Sequence, residues 1–238
     1  MIFSAAGAAE TCAGLPFLAP IWVASSTIAA VLSNTGTISI AYPAGIQAGD
    51  TMLVQMGVRN YAGSDPPTRS GWFADFGPQT QGNASQTLYG TGAAATGSES
   101  GTIAFTWSTG ASHNMVCGIM HIFRYCAQND MIHNGQAGVI LDTTGSSSSG
   151  AAAGLSFTTT VENILLAVFG ATNSGGAVGT PSGWTSRDSQ TTAVGSDFGL
   201  NLVTKAMAAP GSISGGSYAD QGGDATVVRG FGIHGRYG

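Results

Sequence analysis

The chain has 238 residues, enough for one large domain or two small ones. Only 8% of them are charged, with 7 Lys and Arg against 12 Asp and Glu, for a net charge of −5. So few cations argue against a nucleic-acid binder, which must neutralise phosphates, and against a partner of anionic membranes. The hydrophobic 43% argues equally against wholesale disorder.

Gly, Ser and Thr make up 87 of the 238 residues. Polarity is therefore carried by hydroxyl groups more than by charge, which suits packed or assembled surfaces better than free ones.

Residues 1–34 come first in chain order. No charge falls between Glu10 and Asp50, and Ala13 to Leu32 is apolar. A signal peptide would need a basic start, which is missing. A membrane-spanning helix would not hold Pro16 and Pro20 in so short a stretch. Residues before proline are pushed towards extended backbone, so the segment reads as an extended apolar arm packing on its own body or on a neighbour. Phe17, Leu18, Ile21 and Trp22 are its candidate contacts with a neighbouring subunit.

An internal repeat follows, at an offset of 112 residues. Thr68-Arg69-Ser70-Gly71-Trp72 returns as Thr180-Pro181-Ser182-Gly183-Trp184. Met115 to Tyr125 aligns without a gap on Val227 to Tyr237, matching Arg124-Tyr125 to Arg236-Tyr237. Asp50 to Met56 lies over Glu162 to Val168. The reading is a tandem duplication: repeat 1 over 35–130, a polar linker over 131–154, and repeat 2 over 155–238.

Each copy reads as strands. Ile38 to Pro43 alternates, and Thr51 to Val58 puts Met52, Val54, Met56 and Val58 on one face. Runs near 85–90, 102–107 and 115–123 follow, and then 155–160, 164–171, 198–205 and 226–233 in the second copy. No stretch has a strong helical period, and 37 glycines would weaken any helix interior. The expected fold is all-β: tandem-duplicated β-sandwich or jelly-roll-like repeats with an extended N-terminal arm, either two sandwiches or two halves of one.

Asp142 to Gly154 reads as a loose linker, and Gly90 to Gly101 and Gly211 to Asp224 as long loops. The two Ser-Gly-Trp turns read as structural, with Gly71 and Gly183 relaxing the backbone and Trp72 and Trp184 burying their indoles. Arg124-Tyr125 and Arg236-Tyr237 close each copy, with a bridge to a carboxylate such as Asp50 or Glu162.

The sequence carries few signatures of catalysis. The chain holds no phosphate-binding glycine loop, no Cys-x-x-Cys, no His-Glu-x-x-His and no Gly-x-Ser-x-Gly. Its three glutamates, Glu10, Glu99 and Glu162, have no evident acid partner, and His113 and His121 lack nearby carboxylates. The expectation is no enzyme, no metal and no cofactor. The three cysteines, Cys12, Cys117 and Cys126, form no disulfide framework. Cys117 and Cys126, nine positions apart, would point to opposite faces of one continuous strand, as free buried thiols fitting a reducing compartment.

The run AGDTMLVQMGVR, a Pro-rich loop ending in Ser-Gly-Trp, SQTLYGTGAA, and FTWSTGASHNMVCGIMHIFR together resemble a family of two-copy β proteins encoded by tailed bacteriophages. The resemblance covers roughly residues 35–238 and leaves the arm outside it. It implies a virion structural protein, foremost a capsid decoration (cement) protein that bridges shell subunits, assembled in the host cytoplasm. Its expected partners are further copies of itself, as a homotrimer, and the major capsid protein, with neither nucleic acid nor membrane. The alternative is a tail or head-fibre adhesin that grips a host glycan through an exposed aromatic near Tyr89, Trp107 or Tyr218. A depolymerase comes third, for want of paired carboxylates.

Overall fold

The protein is described by a computed structural model covering residues 17–32, 36–59, 69–81, 86–106, 115–127, 143–147, 152–159, 162–172, 178–193, 198–218 and 226–237. Every regular element among them is a β-strand. The arm gives β1 (Phe17–Leu18), β2 (Ile21–Ser25) and β3 (Ala29–Leu32). The first half continues with β4 (Thr37–Ala41), β5 (Thr51–Arg59), β6 (Phe73–Gln81), β7 (Gln86–Ala94), β8 (Thr102–Thr106) and β9 (Met115–Arg124). The second has β10 (Thr143–Ser147), β11 (Ala152–Thr159), β12 (Ile164–Thr172), β13 (Thr185–Thr192), β14 (Phe198–Met207), β15 (Gly211–Tyr218), β16 (Thr226–His234) and β17 (Arg236–Tyr237).

Two large antiparallel sheets carry the fold. One runs β2-β9-β5-β7-β6 with β3 also on β9, and the other runs β10-β16-β12-β14-β13. Two ribbons, β4-β8 and β11-β15, complete the halves. Both halves thus follow one pairing order, and each last long strand has an extra strand beside it: β2 and β3 on β9, β10 on β16.

The core divides into three layers, which fixes the stacking. Met52, Val54, Met56 and Val58 face Ile38, Ile40, Ile103 and Phe105 of the β4-β8 ribbon. Leu166, Val168, Val203 and Val228 face Leu155 and Phe157 of the other ribbon. Between the large sheets, Leu53, Leu88, Ile119 and Phe123 meet Phe169, Phe198, Leu202 and Phe231. The order is ribbon, sheet, sheet, ribbon.

A strand covered on both faces must be apolar on both, which is why β5, β9, β12 and β16 read as near-continuous hydrophobic runs. Side chains this large contribute about 1.5–3 kcal/mol each when fully buried, so the central layer is a main source of stability. Gly57 marks how closely the sheets approach, since a Cβ there would strike the Phe198 ring.

Both Ser-Gly-Trp segments are type II turns. Trp72 N–H donates to Arg69 O at 3.2 Å and Trp184 N–H to Pro181 O at 3.1 Å. Gly71 and Gly183 supply the left-handed third position, with φ of 80° and 79°. Each indole then packs under its own ribbon, Trp72 edge-on to Phe105 and Trp184 tilted on Phe157.

Four expectations need correction. The linker is partly strand, because Thr143–Ser147 pairs with β16 and β11 already starts at Ala152. The segment read as a loop from Gly211 holds β15 as far as Tyr218, where pairing with β11 overrides its glycines. The segment read as a loop from Gly90 is strand as far as Ala94. Cys117 and Cys126 share the central layer instead of opposite faces, because β9 stops at Arg124 and Tyr125 takes a left-handed φ of 64°.

Candidate functional site

The described part of the arm, residues 17–32, is woven into the body. Phe17 and Leu18 pair with Tyr237 and Arg236, Ile21 and Trp22 with Arg124 and Phe123, and Ala29 to Leu32 with Gly118 to Met115. Gly235 admits it closely, since a Cβ there would strike Leu18 O and the Phe17 ring. Of the four candidate contact residues, only Ile21 is well exposed, at 46%. Phe17 and Leu18 are half-buried, and Trp22 packs against the central layer with the Arg187 guanidinium 5.8 Å over its ring.

Between β2 and β3 the arm kinks, and the second half fills the kink. Gln190 of β13 accepts from Ile28 N–H at 2.7 Å and donates to Ser26 O at 2.7 Å. One amide side chain thus satisfies both backbone groups that the kink turns away from β9.

A polar chain crosses the central layer beside it. Trp22 Nε1–H points to Ser25 Oγ at 3.3 Å, and Ser25 Oγ to His121 Nδ1 at 2.8 Å. His121 Nε2 meets Gln55 Oε1 at 3.2 Å, and Gln55 Nε2–H donates to Gly170 O at 2.7 Å. Indole N–H only donates, so the consistent direction is indole to hydroxyl to imidazole to amide to carbonyl. His121 is then neutral and protonated on Nε2. It is fully buried, with the Phe169 ring 5.4 Å away, and burial pushes its pKa down to about 3. The chain joins the arm, the first half and the second half, and it can hold them together but has no open face for a substrate.

The Arg-Tyr pairs behave differently in the two halves. Arg124 grips Asp50 with two bonds, Nε to Oδ1 at 2.7 Å and Nη2 to Oδ2 at 2.8 Å, and that contact raises its pKa. Asp50 adjoins the start of β5, opposite the end of β9, so the bridge expected from the sequence is present there. Arg236 and Glu162 form no such bridge. Strand β16 ends at His234, Arg236 lies on β17 against Leu18 with its N–H on Tyr125 O, and Glu162 is exposed.

The glycan-reading aromatics are also corrected. Tyr89 and Tyr218 are buried core residues at 1% and 0% exposure, and Trp107 lies outside the described residues. Cys117 and Cys126 are free and buried. Burial raises both thiols, Cys126 to about 12, so neither is an activated nucleophile.

Glu99 closes a turn: burial pulls its pKa up, but bonds from Thr96 and Gly97 outweigh that and lower it. Among the described residues no three His, Cys, Asp or Glu come together as a metal site. A hollow of about 180 Å³ lies between Ala19-Pro20, Asn163-Ile164 and Ala206 to Ala208, with an apolar lining and no charged group.

Sequence reasoning missed Ser25, Gln55, Arg187 and Gln190. Their partners lie far along the chain, 162 positions for Gln190 and Ile28, so no local spacing announces them. Comparison with known protein families, curated proteins and solved structures finds no match.

Proposed function

We propose that this chain is a structural protein of a bacteriophage virion, foremost a decoration protein that cements the capsid shell. The observation that carries the reading is the chemistry of the outermost layers. The exposed strand positions of the ribbons are Thr37, Ser39, Thr102 and Thr106 on one side and Ser156, Thr158, Ser212 and Ser214 on the other. Ordinary solvent-facing strands carry charge for solubility. These carry hydroxyl groups, which suit close docking on a protein surface because nothing charged has to be desolvated.

The resemblance of residues 35–238 to two-copy phage β proteins points the same way. In this reading the chain is a non-enzymatic binder whose partners are the major capsid protein and copies of itself. Several weak contacts that exist only on the assembled shell would stabilise it by mass action. The adhesin alternative has lost two of its three candidate aromatics to the core.

The test is copy number on gradient-purified particles by quantitative mass spectrometry, scaled to the major capsid protein. A number comparable to the shell subunit supports cementing. A few to a few tens of copies moves the protein to the tail, and absence from the particle removes the virion reading.

A further inference from the structure

The four edges of the two large sheets are not protected alike. An open edge is a template for another strand, and proteins blunt it with bulges, proline or charge. Strand β6 has two register shifts and Pro78. Strand β13 has a register shift, with Arg187 and Asp188 beside it. Strand β10 is short and holds Gly145 and hydroxyl residues alone.

The β2–β3 edge has one register shift as well, between Trp22 and Ala24, but none of the other devices. From Ile21 to Leu32 it has no charge, no proline and no glycine. Its side chains serve the core on both faces, Trp22, Ile28 and Ala30 on one and Val23, Ala29 and Val31 on the other. The exposed large hydrophobic residues among the described residues are Ile21 at 46% and Leu32 at 51%, one at each end of this edge. No further strand lies beyond it among the described residues.

We propose that this edge pairs with the same edge of a second copy of the chain, antiparallel about a two-fold axis. An isologous contact needs a self-complementary patch, and the edge is one. A two-fold axis normal to a sheet preserves its faces, so only residues of the same face can stand opposite each other. The ladder on β9 assigns those faces: Ile21 is level with Arg124, Trp22 with Phe123, Ala24 with Ile122, Ala29 with Gly118, Ala30 with Cys117 and Val31 with Val116.

Centring the axis at Ser26, level with Met120, matches the face of every residue in register with β9 and leaves only Val23, at the register shift, without an opposite. Ile21 then stands opposite Val31 of the second copy, Trp22 opposite Ala30 and Ala24 opposite Ala29. The large indole meets the small methyl, and β2 of one copy lies along β3 of the other on each side of the axis. The kink falls at the axis itself, where Gln190 already holds Ser26 O and Ile28 N–H, so the gap between the two ladders leaves neither group unsatisfied. An edge joins two copies, so the symmetry is two-fold in place of the three-fold expected from the sequence. The proposal stands apart from the virion reading.

The test uses the full chain with Cys12→Ser, so that the remaining native thiols are the buried pair. Sedimentation velocity should show a dimer. The double variant Ala24→Cys/Ala29→Cys should give a covalent dimer under oxidation, while either single variant should not, because each new thiol faces the other position across the axis. Ile21→Lys/Leu32→Lys should raise the dimer dissociation constant by roughly a hundredfold with an unchanged circular dichroism spectrum. A monomeric parent, a trimer by mass, or a dimer that neither cross-links in the double variant nor weakens with the lysines would overturn the proposal.

Discussion

His121 offers the most direct check on the central layer. The ring is fully buried and holds its neutral form down to about pH 3, whereas in the unfolded chain it titrates near 6.5. Below pH 6.5 the unfolded state therefore takes up a proton that the native state refuses, and stability falls as pH falls. The loss accumulates at about 1.4 kcal/mol per pH unit until the native pKa is reached, about 5 kcal/mol in all. Above pH 6.5 this residue adds no pH dependence. The window between pH 6.5 and 5 is the useful one, because carboxylates titrate mostly below it. There the parent should lose about 2 kcal/mol more than His121→Gln in urea unfolding followed across pH. The readout is the slope against pH, so a uniform destabilisation of the variant does not disturb it. Identical slopes would mean that His121 is protonated in the native state, and the direction assigned to the Trp22–Ser25–His121–Gln55 chain would be wrong.

The other packing contacts make plainer claims. Gln190→Ala orphans Ser26 O and Ile28 N–H, so it should cost about 1–3 kcal/mol in denaturant titrations and expose the arm to limited proteolysis before the body. Tyr218→Phe removes a buried hydroxyl that has no hydrogen-bond partner among the described residues, and should raise the thermal midpoint through a gain of roughly 1 kcal/mol. Gly57→Ala drives a methyl into the Phe198 ring and should cost about 1–3 kcal/mol by calorimetry, a loss that Phe198→Leu partly restores. Cys117 and Cys126 should resist a thiol reagent in the native protein and react once it is unfolded, since both are buried.

What could be read from the sequence follows from how each strand is covered. Strands β5, β12, β14 and β16 announce themselves because both faces meet a core layer and the residues stay apolar throughout. Strands β6 and β13 do not, because register shifts break their alternation against β7 and β14. Strand β15, GSISGGSY, is held by its ladder to β11, a long-range cause that local propensity does not carry. The Arg124–Asp50 bridge is legible in the internal alignment, where Arg124 meets Arg236 and Asp50 meets another acid, Glu162. Its counterpart fails because Arg236 has moved onto β17, a turn of the backbone that the matching Arg-Tyr letters conceal.

The same geometry divides the meaning of the low charge. Two sheets buried on both faces leave few strand positions where a lysine or glutamate could stand, so much of the charge poverty is an internal consequence of four layers and says nothing about partners. The part that bears on function is smaller and more specific. It is the hydroxyl-only ribbons, whose outward positions were free to carry charge and do not, and the β2–β3 edge, where a single lysine would have sufficed to discourage pairing. Solvent imposes neither choice on a monomer. The arm makes this sharper, because Gln190, Arg187 and the β9 ladder hold it against its own body. What its described residues present outward is thus the β2–β3 edge, held in place for the pairing proposed above.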